Sequence, residues 1–304
     1  MKLILTIITF IFTFNFCYSL KAEKLYVPFH LKRNVVIVPT RINGSSPLDL
    51  ILDTGMTFDG VYLFNDKISK DIDKSKLIQV KVPGAGSSEP STALMIEDGA
   101  LSIGDVTIDS QRVIISTSQY TRGFSSDGVI GWNLFGHYIV GIDYDKEMIT
   151  LYGDDFVAPD TGWQIIPITL KKNIPFLEAI IEVVKGETTE AIFYVDLASD
   201  KALELLLKPD QKYTLPDSLR TSYLGTGLSG DIHGYYGESN HLWLGNYMLN
   251  NLPTAFAPAE VRSKQEGADG IIGDDCIRRF NVIFDYPHNR LYLKANKYFS
   301  TAFK

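Results

Sequence analysis

The sequence predicts a mostly β protein made of two related lobes, and three observations support this prediction. The chain has 304 residues, more than one ordinary domain of ~100–200 residues. Segments with alternating apolar and polar residues recur, separated by turn residues at intervals of roughly ten positions. The second half of the chain also repeats the motif order of the first half, which indicates a duplicated unit.

Composition excludes several classes of protein. Hydrophobic residues make up 45% and charged residues 21% of the chain, which is typical of a soluble globular protein and not of a disordered or collagen-like one. The formal net charge is -7 and no long basic run occurs. Since nucleic-acid binding needs a basic surface, DNA and RNA are excluded as expected partners.

The amino terminus resembles a secretory signal in its layout. Lys2 precedes an apolar run over residues 3–16, and the small residues Cys17 and Ser19 follow at positions suited to cleavage after Ser19. The run is too short for the ~20 residues that span a bilayer. We therefore expect a signal peptide at 1–19, an exported protein (periplasmic or secreted) and no membrane span after cleavage. A lipoprotein anchored at Cys17 is the alternative, which the bulky Phe16 disfavours.

Cleavage would leave Cys276 as the remaining cysteine. A single thiol cannot form an internal disulfide, so stability must come from packing. We expect Cys276 to be a core thiol because no nucleophile signature surrounds it.

An internal repeat relates the two halves. Residues 127–144 (DGVIGWNLFGHYIVGIDY) return at 269–286 (DGIIGDDCIRRFNVIFDY) at a constant offset of 142. Further upstream, the apolar runs that end in Asp53 and Asp196 correspond at an offset of 143. Each half therefore carries one aspartate at the end of a strand-like segment.

The pattern also predicts local elements and domain limits. Strands are expected at 34–38, 101–106 and 112–115, and short helices at 134–138, 276–280 and 199–208. The Pro- and Gly-containing segment 158–162 is typical of a linker. The expected lobes are therefore residues 20–158 and 159–304.

The motif that carries chemistry is Asp53-Thr54-Gly55. Alone it is a weak signal, because chance produces it in about one chain in fifteen of this length. Here it precedes a Gly-rich tip and an Asp-Gly-apolar-apolar-Gly turn, which is found at 127–131 and again at 269–273. This order resembles the pepsin and retropepsin class of aspartic peptidases. In particular it resembles the exported bacterial aspartyl protease family, which carries two retropepsin-like units in one chain. The resemblance implies a bilobal pepsin/retropepsin-like acid protease fold of two β-barrel lobes and an aspartic endopeptidase activity.

Such an activity needs a general base and a general acid at one water molecule. Two carboxylates about 3 Å apart cannot both ionise, so one stays protonated and the pair supplies both groups. By position, Asp53 and Asp196 are the expected catalytic pair.

Four neighbouring residues are expected to support this pair. Gly55 allows close backbone approach, and the family resemblance implies that the Thr54 hydroxyl holds the loop by hydrogen bonding. The second half departs from the pattern, because Leu197 and Ala198 stand where Thr and Gly are expected. Asp196 therefore has a second interpretation, as the N-cap of the predicted helix at 199–208.

Two Gly-rich segments follow the aspartates at matching places. Gly84, Ala85 and Gly86 in the first half and Gly225, Thr226 and Gly227 in the second are expected at hairpin tips that close over substrate. Ordinary glycine-bearing β-turns are the alternative. Residues 225–230 also spell G-x-G-x-x-G, but the following sequence is not helical and no dinucleotide site is expected.

No cofactor is expected. The five histidines are scattered and form no zinc motif: His30, His137, His233, His241 and His288. The expected partner is a peptide or protein substrate, and two lobes in one chain favour a monomer. The sequence leaves two functions open, an active endopeptidase or a catalytically silent peptide-binding or scaffold protein that keeps the fold.

Overall fold

The computed structural model describes residues 24–303 except 69, 71, 87–88, 154, 160 and 263–266. The predicted signal peptide and Cys17 lie outside the described residues. The rest of the chain is mostly β-strand and forms three sheets, with a few short helices between them. No helix within this described part is long and apolar enough to cross a bilayer.

The N-terminal lobe is an eight-stranded sheet. Its strands are β2 (His30–Lys32), β3 (Val35–Ile42), β4 (Leu48–Leu52), β5 (Gly60–Leu63), β6 (Ile78–Val82), β7 (Ser91–Ile103), β8 (Val106–Ser116) and β9 (Gly128–Ile130). Their order is β2-β3-β4-β9-β5-β8-β7-β6, and an additional pairing of β3 with β7 closes the sheet on itself.

The C-terminal lobe has the same topology. Its strands are β13 (Thr169–Lys171), β14 (Ile174–Glu182), β15 (Thr188–Asp196), β16 (Leu203–Leu207), β17 (Arg220–Gly227), β18 (Gly230–Leu244), β19 (Tyr247–Pro258) and β20 (Gly270–Gly273). Their order is β13-β14-β15-β20-β16-β19-β18-β17, and β14 also pairs with β18. The repeat found in the sequence is therefore a repeat of the whole strand arrangement.

A third sheet of six strands joins the lobes. It contains β1 (Leu25–Pro28), β10 (Ile139–Asp143), β11 (Met148–Tyr152), β12 (Gln164–Pro167), β21 (Phe280–Asp285) and β22 (Arg290–Ala295). The order is β1-β11-β10-β21-β22-β12, with the antiparallel pair β10 and β21 at the centre. Each half contributes three strands. A large apolar core extends beneath both lobes, and Cys276 lies in it as a fully buried free thiol.

The helices are short. Among the described residues they are α1 (Trp132–Phe135), α2 (Asp274–Ile277) and three 3-10 helices at Lys74–Lys76, Gln119–Gly123 and Ala259–Arg262. The helices predicted at 134–138 and 276–280 thus exist but begin two residues earlier.

The helix predicted over residues 199–208 is wrong. Residues Leu203–Leu207 form β16, which pairs with β19 and β20 on its two sides and is almost entirely buried. A strand that is covered on both faces has a continuous apolar run, and such a run fits helical spacing as well as it fits a strand.

The turns predicted at 127–131 and 269–273 are wrong. These segments contain the buried strands β9 and β20, each paired with a neighbouring strand on both sides. The aspartate that precedes each strand anchors the lobe around it. Asp127 Oδ2 accepts a hydrogen bond from the Asp49 backbone N–H at 3.0 Å. Asp269 Oδ2 accepts one from the Ile192 N–H at 2.9 Å, and Asp269 Oδ1 accepts one from Lys208 Nζ at 2.7 Å. These aspartates have a structural role, since they connect β4 and β15 to the starts of β9 and β20.

Candidate active site

Asp53 and Asp196 occupy equivalent places in the two lobes. β4 runs parallel to β9 and β15 runs parallel to β20, and each aspartate stands where its strand ends. The Asp53 N–H continues the ladder by donating to Ile130 O at 2.8 Å, and Asp196 pairs with Gly273. The side chains at both positions are half-buried.

The Thr54 hydroxyl connects the two aspartate loops. It donates to Val195 O at 2.7 Å and accepts from the Leu197 N–H at 3.1 Å. Val195 and Leu197 flank Asp196, so a single buried hydroxyl from the N-terminal lobe fixes the backbone on both sides of the second aspartate. The expected hydrogen-bonding role of Thr54 corresponds to this bridge.

The equivalent side chain in the C-terminal lobe makes no such bridge. Leu197 is fully buried and packs into the large core. An apolar side chain offers neither donor nor acceptor. The hydroxyl bridge between the loops is therefore one-sided.

Each carboxylate accepts a hydrogen bond from the backbone two residues onward. The Gly55 N–H donates to Asp53 Oδ1 at 2.6 Å, whereas the Ala198 N–H donates to Asp196 Oδ1 at 3.0 Å. A Cβ at position 55 would lie 3.0 Å from Asp53 Oδ1, which is close for a carbon and an oxygen. Ala198 is the residue that corresponds to Gly55, and the hydrogen bond to Asp196 is the longer of the two.

The N-cap interpretation of Asp196 is wrong, because no helix follows it. The Ser199 N–H donates to Asp196 O at 3.2 Å to form a turn. The next regular element is the strand β16. Asp196 is thus the last residue of its strand, as Asp53 is the first residue after its own.

Burial and mutual repulsion raise the proton affinity of the pair. Desolvation, and then the negative charge of Asp196, raise the pKa of Asp53 to about 7, against smaller lowering effects of the Gly55 and Met56 N–H groups and of Arg262. Desolvation also raises the pKa of Asp196, while the positive charge of Arg262 opposes this shift. The pair therefore holds at least one proton in acidic solution.

The two predicted hairpin tips lie against each other. In the C-terminal lobe Leu228 and Ser229 form the tip between β17 and β18, and in the N-terminal lobe residues 83–90 connect β6 to β7. The Ser229 N–H donates to Ala85 O at 2.9 Å, and the Gly84 N–H donates to Ser229 Oγ at 3.2 Å.

The contact between the tips leaves no space for side chains at three glycines. A Cβ at Gly227 would lie 2.1 Å from Ala85 O, and one at Gly84 would lie 2.4 Å from Leu228 Cβ. A Cβ at Gly86 would lie 2.4 Å from the carbonyl carbon of Ser229. Of the six predicted tip residues, the structure brings together Gly84, Ala85, Gly86 and Gly227.

The other two predicted tip residues belong to their own hairpin. Gly225 has a φ of 131° at an irregularity in the pairing of β17 with β18. The Thr226 hydroxyl donates to Asp231 Oδ1 at 2.7 Å. None of these interactions of Gly225 and Thr226 involves the N-terminal tip at residues 84–86.

Each tip packs on the opposite lobe. Leu228 packs against an apolar cluster of the N-terminal lobe that includes Ile51, Tyr62 and Val129. Ala85 packs against a cluster of the C-terminal lobe that includes Tyr194 and Ile271. Because Ile51 and Tyr194 precede the aspartates by two residues, they lie on the same face of the strand as the carboxylates. The tips thus cover the aspartate-bearing faces of the sheets.

Sequence reasoning missed three residues near the site: Glu204, Ser229 and Arg262. Glu204 is the one charged residue in an apolar run, and its burial in a central strand demands an ion-pair partner. Reading the run as a helix concealed this signal. No sequence pattern marks Arg262, and Ser229 belongs to a tip that was recognised only through its glycines.

Comparison with known proteins gives a structural likeness and no likeness in sequence. No protein-family model matches the chain, and no curated protein matches it. The aspartic proteinase from Irpex lacteus superposes with a TM-score of 0.58 at 13% sequence identity, covering 92% of this chain and 99% of that one. The fold is that of the pepsin-like aspartic proteinases. The predicted mostly β, bilobal fold is confirmed, and identity this low shows the fold alone.

Proposed function

We propose that this protein is an aspartic endopeptidase that uses Asp53 and Asp196 to activate water. The observation that carries the proposal is the Thr54 bridge, which joins the two aspartate loops across the lobes. It occurs within the fold of an aspartic proteinase.

The proposed reaction needs no covalent intermediate. The ionised carboxylate takes a proton from water as the oxygen attacks the scissile carbonyl carbon, and the protonated carboxyl donates its proton to the carbonyl oxygen. The resulting tetrahedral diol collapses when the C–N bond breaks. The carboxyl that took the proton from water donates it to the leaving amine, and one hydroxyl of the diol returns its proton to the other, ionised carboxylate as the new carbonyl forms. The pair returns to its singly protonated state, so the cycle is balanced.

The charge state of the pair supports this mechanism. The pKa of Asp53 is raised to about 7 by desolvation and by the charge of Asp196. A carboxyl with this pKa stays protonated in acidic solution, while the second carboxyl is the base. We expect hydrolysis to be fastest at acidic to mildly acidic pH and to fall as the shared proton is lost near pH 7.

The hairpin tips support a substrate role for the space they cover. Gly84, Ala85, Gly86, Gly225, Thr226 and Gly227 belong to the two tip regions, which we propose open to admit a peptide and close over it. The contacts between the tips would then be exchanged for contacts with the peptide backbone.

A catalytically silent peptide-binding or scaffold protein is the second candidate, and Leu197 and Ala198 favour it. Leu197 has no hydroxyl to bridge the loops, and the hydrogen bond to Asp196 Oδ1 is 3.0 Å long against 2.6 Å for the one to Asp53 Oδ1. The second carboxylate is therefore held less firmly than the first. The two candidates share a peptide ligand and differ in turnover.

Cleavage of a mixed peptide library separates the candidates. We expect the protein without residues 1–19 to cut peptides at acidic pH, and a statine-type transition-state analogue to inhibit it. Asp53→Asn is the matched inactive control. Tight binding of the analogue without any cleavage would support the silent binder, and neither binding nor cleavage would contradict both candidates.

Export and the monomeric state belong to the same proposal. We infer that cleavage after Ser19 releases a protein that starts at Leu20, and that one chain suffices because both aspartates come from it. N-terminal sequencing of exported material and light scattering test these points. A start at a lipid-modified Cys17, an intact Met1 or an obligate dimer would contradict them.

A further inference from the structure

A buried ion pair stands beside the aspartates in one lobe. Arg262 Nε donates to Glu204 Oε1 at 2.8 Å, and Arg262 Nη2 donates to Glu204 Oε2 at 3.2 Å. The side chain of Glu204 is 1% exposed and that of Arg262 is 13% exposed. A bidentate ion pair of this kind fixes the guanidinium in position, and burial of the pair protects both charges from screening by solvent ions.

The sheet places this pair on the aspartate-bearing face. Tyr194 in β15 and Glu204 in β16 pair with Ile271 from its two sides. The three residues therefore form one row across neighbouring strands, with their side chains on one face. Since Tyr194 precedes Asp196 by two residues, Asp196 lies on that face as well.

The corresponding row in the N-terminal lobe carries no charge. Ile51 and Tyr62 pair with Val129 from its two sides, at the positions of Tyr194 and Glu204. All three side chains belong to an apolar cluster. The ion pair is thus a feature of the lobe whose aspartate loop has lost the Thr and Gly.

Several charged and titratable groups act on one another here. The charge of Arg262 acts on Glu204 in β16, on Tyr194 and Asp196 in β15, and on Asp53 in the opposite lobe. Lys201, which precedes β16, acts on Glu204 and Asp196. The Tyr194 hydroxyl is buried and makes no hydrogen bond within the described part of the chain.

Arg262 influences both carboxyls, and Asp196 more than Asp53. After desolvation, which raises the pKa of Asp196, the charge of Arg262 is the largest influence and lowers that pKa; Glu204 raises it less strongly. For Asp53 the effect of Arg262 has the same direction but is smaller than those of the Gly55 and Met56 N–H groups.

We propose that Arg262, fixed by Glu204, is a positioning residue that holds negative charge on the Asp53 and Asp196 pair, so that the pair carries one proton and not two in acidic solution. This inference rests on the proposed peptidase function. It also assigns a compensating role: the guanidinium supplies by charge part of what the weaker Ala198 hydrogen bond fails to supply.

The test replaces the cation and follows the two carboxyls directly. Asp53 and Asp196 are titrated by carbon-13 NMR of their carboxyl carbons, with the signals assigned from Asp53→Asn and Asp196→Asn. The variants are Arg262→Gln, the conservative Arg262→Lys, and the double variant Arg262→Gln/Glu204→Gln, which leaves no unpaired buried charge if the single variant fails to fold. Lys208→Gln is the matched control, because Lys208 is a partly buried cation of the same lobe that is bound by Asp269.

We expect Arg262→Gln to raise the titration midpoint of Asp196 by about one pH unit, a tenfold change in proton affinity, and that of Asp53 by less. The acid limb of the kcat/KM profile should move by the same amount. The double variant should show a smaller rise, because Glu204 opposes Arg262 less strongly than Arg262 acts on Asp196. Arg262→Lys should retain most of the wild-type midpoint, and Lys208→Gln should retain all of it.

Unchanged or lowered midpoints in a folded Arg262→Gln protein, or in the double variant, would overturn the inference. The NMR titration needs no turnover. If the wild-type protein cuts no peptide but its midpoints depend on Arg262 as expected, the proposed function fails while the electrostatic role of Arg262 stands. If the protein cuts peptides and the midpoints do not depend on Arg262, the reverse holds.

Discussion

The two aspartate loops share a backbone and differ in side-chain chemistry. In both, the carboxylate accepts a hydrogen bond from the N–H two residues onward. In the N-terminal lobe the intervening Thr54 reaches across to the other loop, whereas Leu197 turns into the core. The comparison teaches that the backbone can place an aspartate without a fixed Asp-Thr-Gly triplet, and that one hydroxyl can connect both loops.

The sheet faces that carry the two aspartates also differ in side-chain chemistry. The N-terminal face is apolar around Tyr62, while the C-terminal face holds the ion pair of Glu204 and Arg262. The N-terminal lobe, whose loop has the Asp-Thr-Gly sequence, thus has apolar side chains where the C-terminal lobe has an ion pair. Each of the following predictions changes one lobe and uses the other as its reference.

The largest expected effect is the loss of turnover when either aspartate is replaced, because both lobes are needed for the reaction. Asp53→Asn and Asp196→Asn should each lower kcat by about a thousandfold or more, because one carboxylate cannot be acid and base in the same step. Melting curves near pH 7 should show that both variants are folded and no less stable, since each substitution removes a charge that burial disfavours. Full activity of Asp196→Asn would show that the second lobe takes no part in the chemistry.

A second prediction concerns the inter-lobe contacts of two equivalent tyrosines. The Tyr144 hydroxyl donates to Asp274 Oδ1 at 2.6 Å, whereas Tyr286 meets the ring of Trp132 at the corresponding place. Desolvation raises the pKa of Asp274 to about 8. The folded protein therefore binds a proton that the unfolded chain loses near pH 4, and stability should fall as the pH rises from about 4 to 8.

Asp274→Asn should remove this loss, so that above pH 8 the variant is more stable than the wild type by about 2–4 kcal/mol. Urea unfolding across the pH range measures the difference. Asp127→Asn is a control of opposite sign: although burial opposes it, the hydrogen bonds from Lys67, the Asp49 N–H and Asn65 lower the pKa of Asp127. That variant should lose stability above pH 4, where the wild-type carboxylate is charged. Equal slopes for Asp274→Asn and wild type would contradict the prediction.

The one-sided bridge predicts unequal effects at positions 54 and 197. Thr54→Val leaves Val195 O and the Leu197 N–H without their partner and should cost about 1–3 kcal/mol of stability. It should also lower kcat/KM by tenfold or more, since displacement of a catalytic group by ~1 Å costs about a hundredfold. Leu197→Thr should cost stability through lost apolar burial, with a smaller change in kcat/KM. Equal kinetic losses in the two variants would show that the bridge is not what holds the site.

The smallest expected effect on kcat/KM comes from adding a methyl group at position 55 or removing one at position 198. Gly55→Ala should lower kcat/KM several-fold because the new Cβ crowds Asp53 Oδ1. Ala198→Gly should shorten the hydrogen bond to Asp196, and together with Leu197→Thr it should raise kcat/KM several-fold.

Ala198 does not have a positive φ, so glycine there gains no conformational relief and should cost about 0.5–1 kcal/mol of stability. Steady-state kinetics on one peptide, with melting temperatures, measure both effects. A double variant with unchanged or reduced kcat/KM would indicate that the natural loop is already adapted.

The sequence predicts the repeat well because the glycines that close backbone contacts require recur at a constant spacing in the two halves. The segments 127–131 and 269–273, which contain β9 and β20, need glycine for close contacts with neighbouring backbone: a Cβ at Gly128 would lie 2.3 Å from Tyr62 O, and one at Gly273 would lie 2.2 Å from Lys201 O. Such positions tolerate few substitutions, so they remain recognisable in both halves.

The sequence fails where the environment of a residue comes from distant strands. Residues 203–207 form a strand because β19 and β20 pair with their backbone on both sides. The partner of Glu204 lies 58 residues away in a 3-10 helix. Likewise the bridge from Thr54 spans 141 residues, and no local pattern encodes which carbonyl it reaches. The glycines of the two hairpin segments, by contrast, are visible in the sequence, although the second tip lies at Leu228 and Ser229 and so beyond Gly225 and Thr226.

The pairing of β1 with β11 bears on the order in which the chain becomes structured during synthesis. All strands of the N-terminal lobe, and its three strands in the shared sheet, precede residue 153 and pair among themselves apart from the contact of β10 with β21. The strands of the first half can therefore pair with one another before the second half has left the ribosome. Until residues 280–285 emerge, β10 is an open sheet edge of the kind that invites pairing with other chains. β21, among the last strands to be made, closes it.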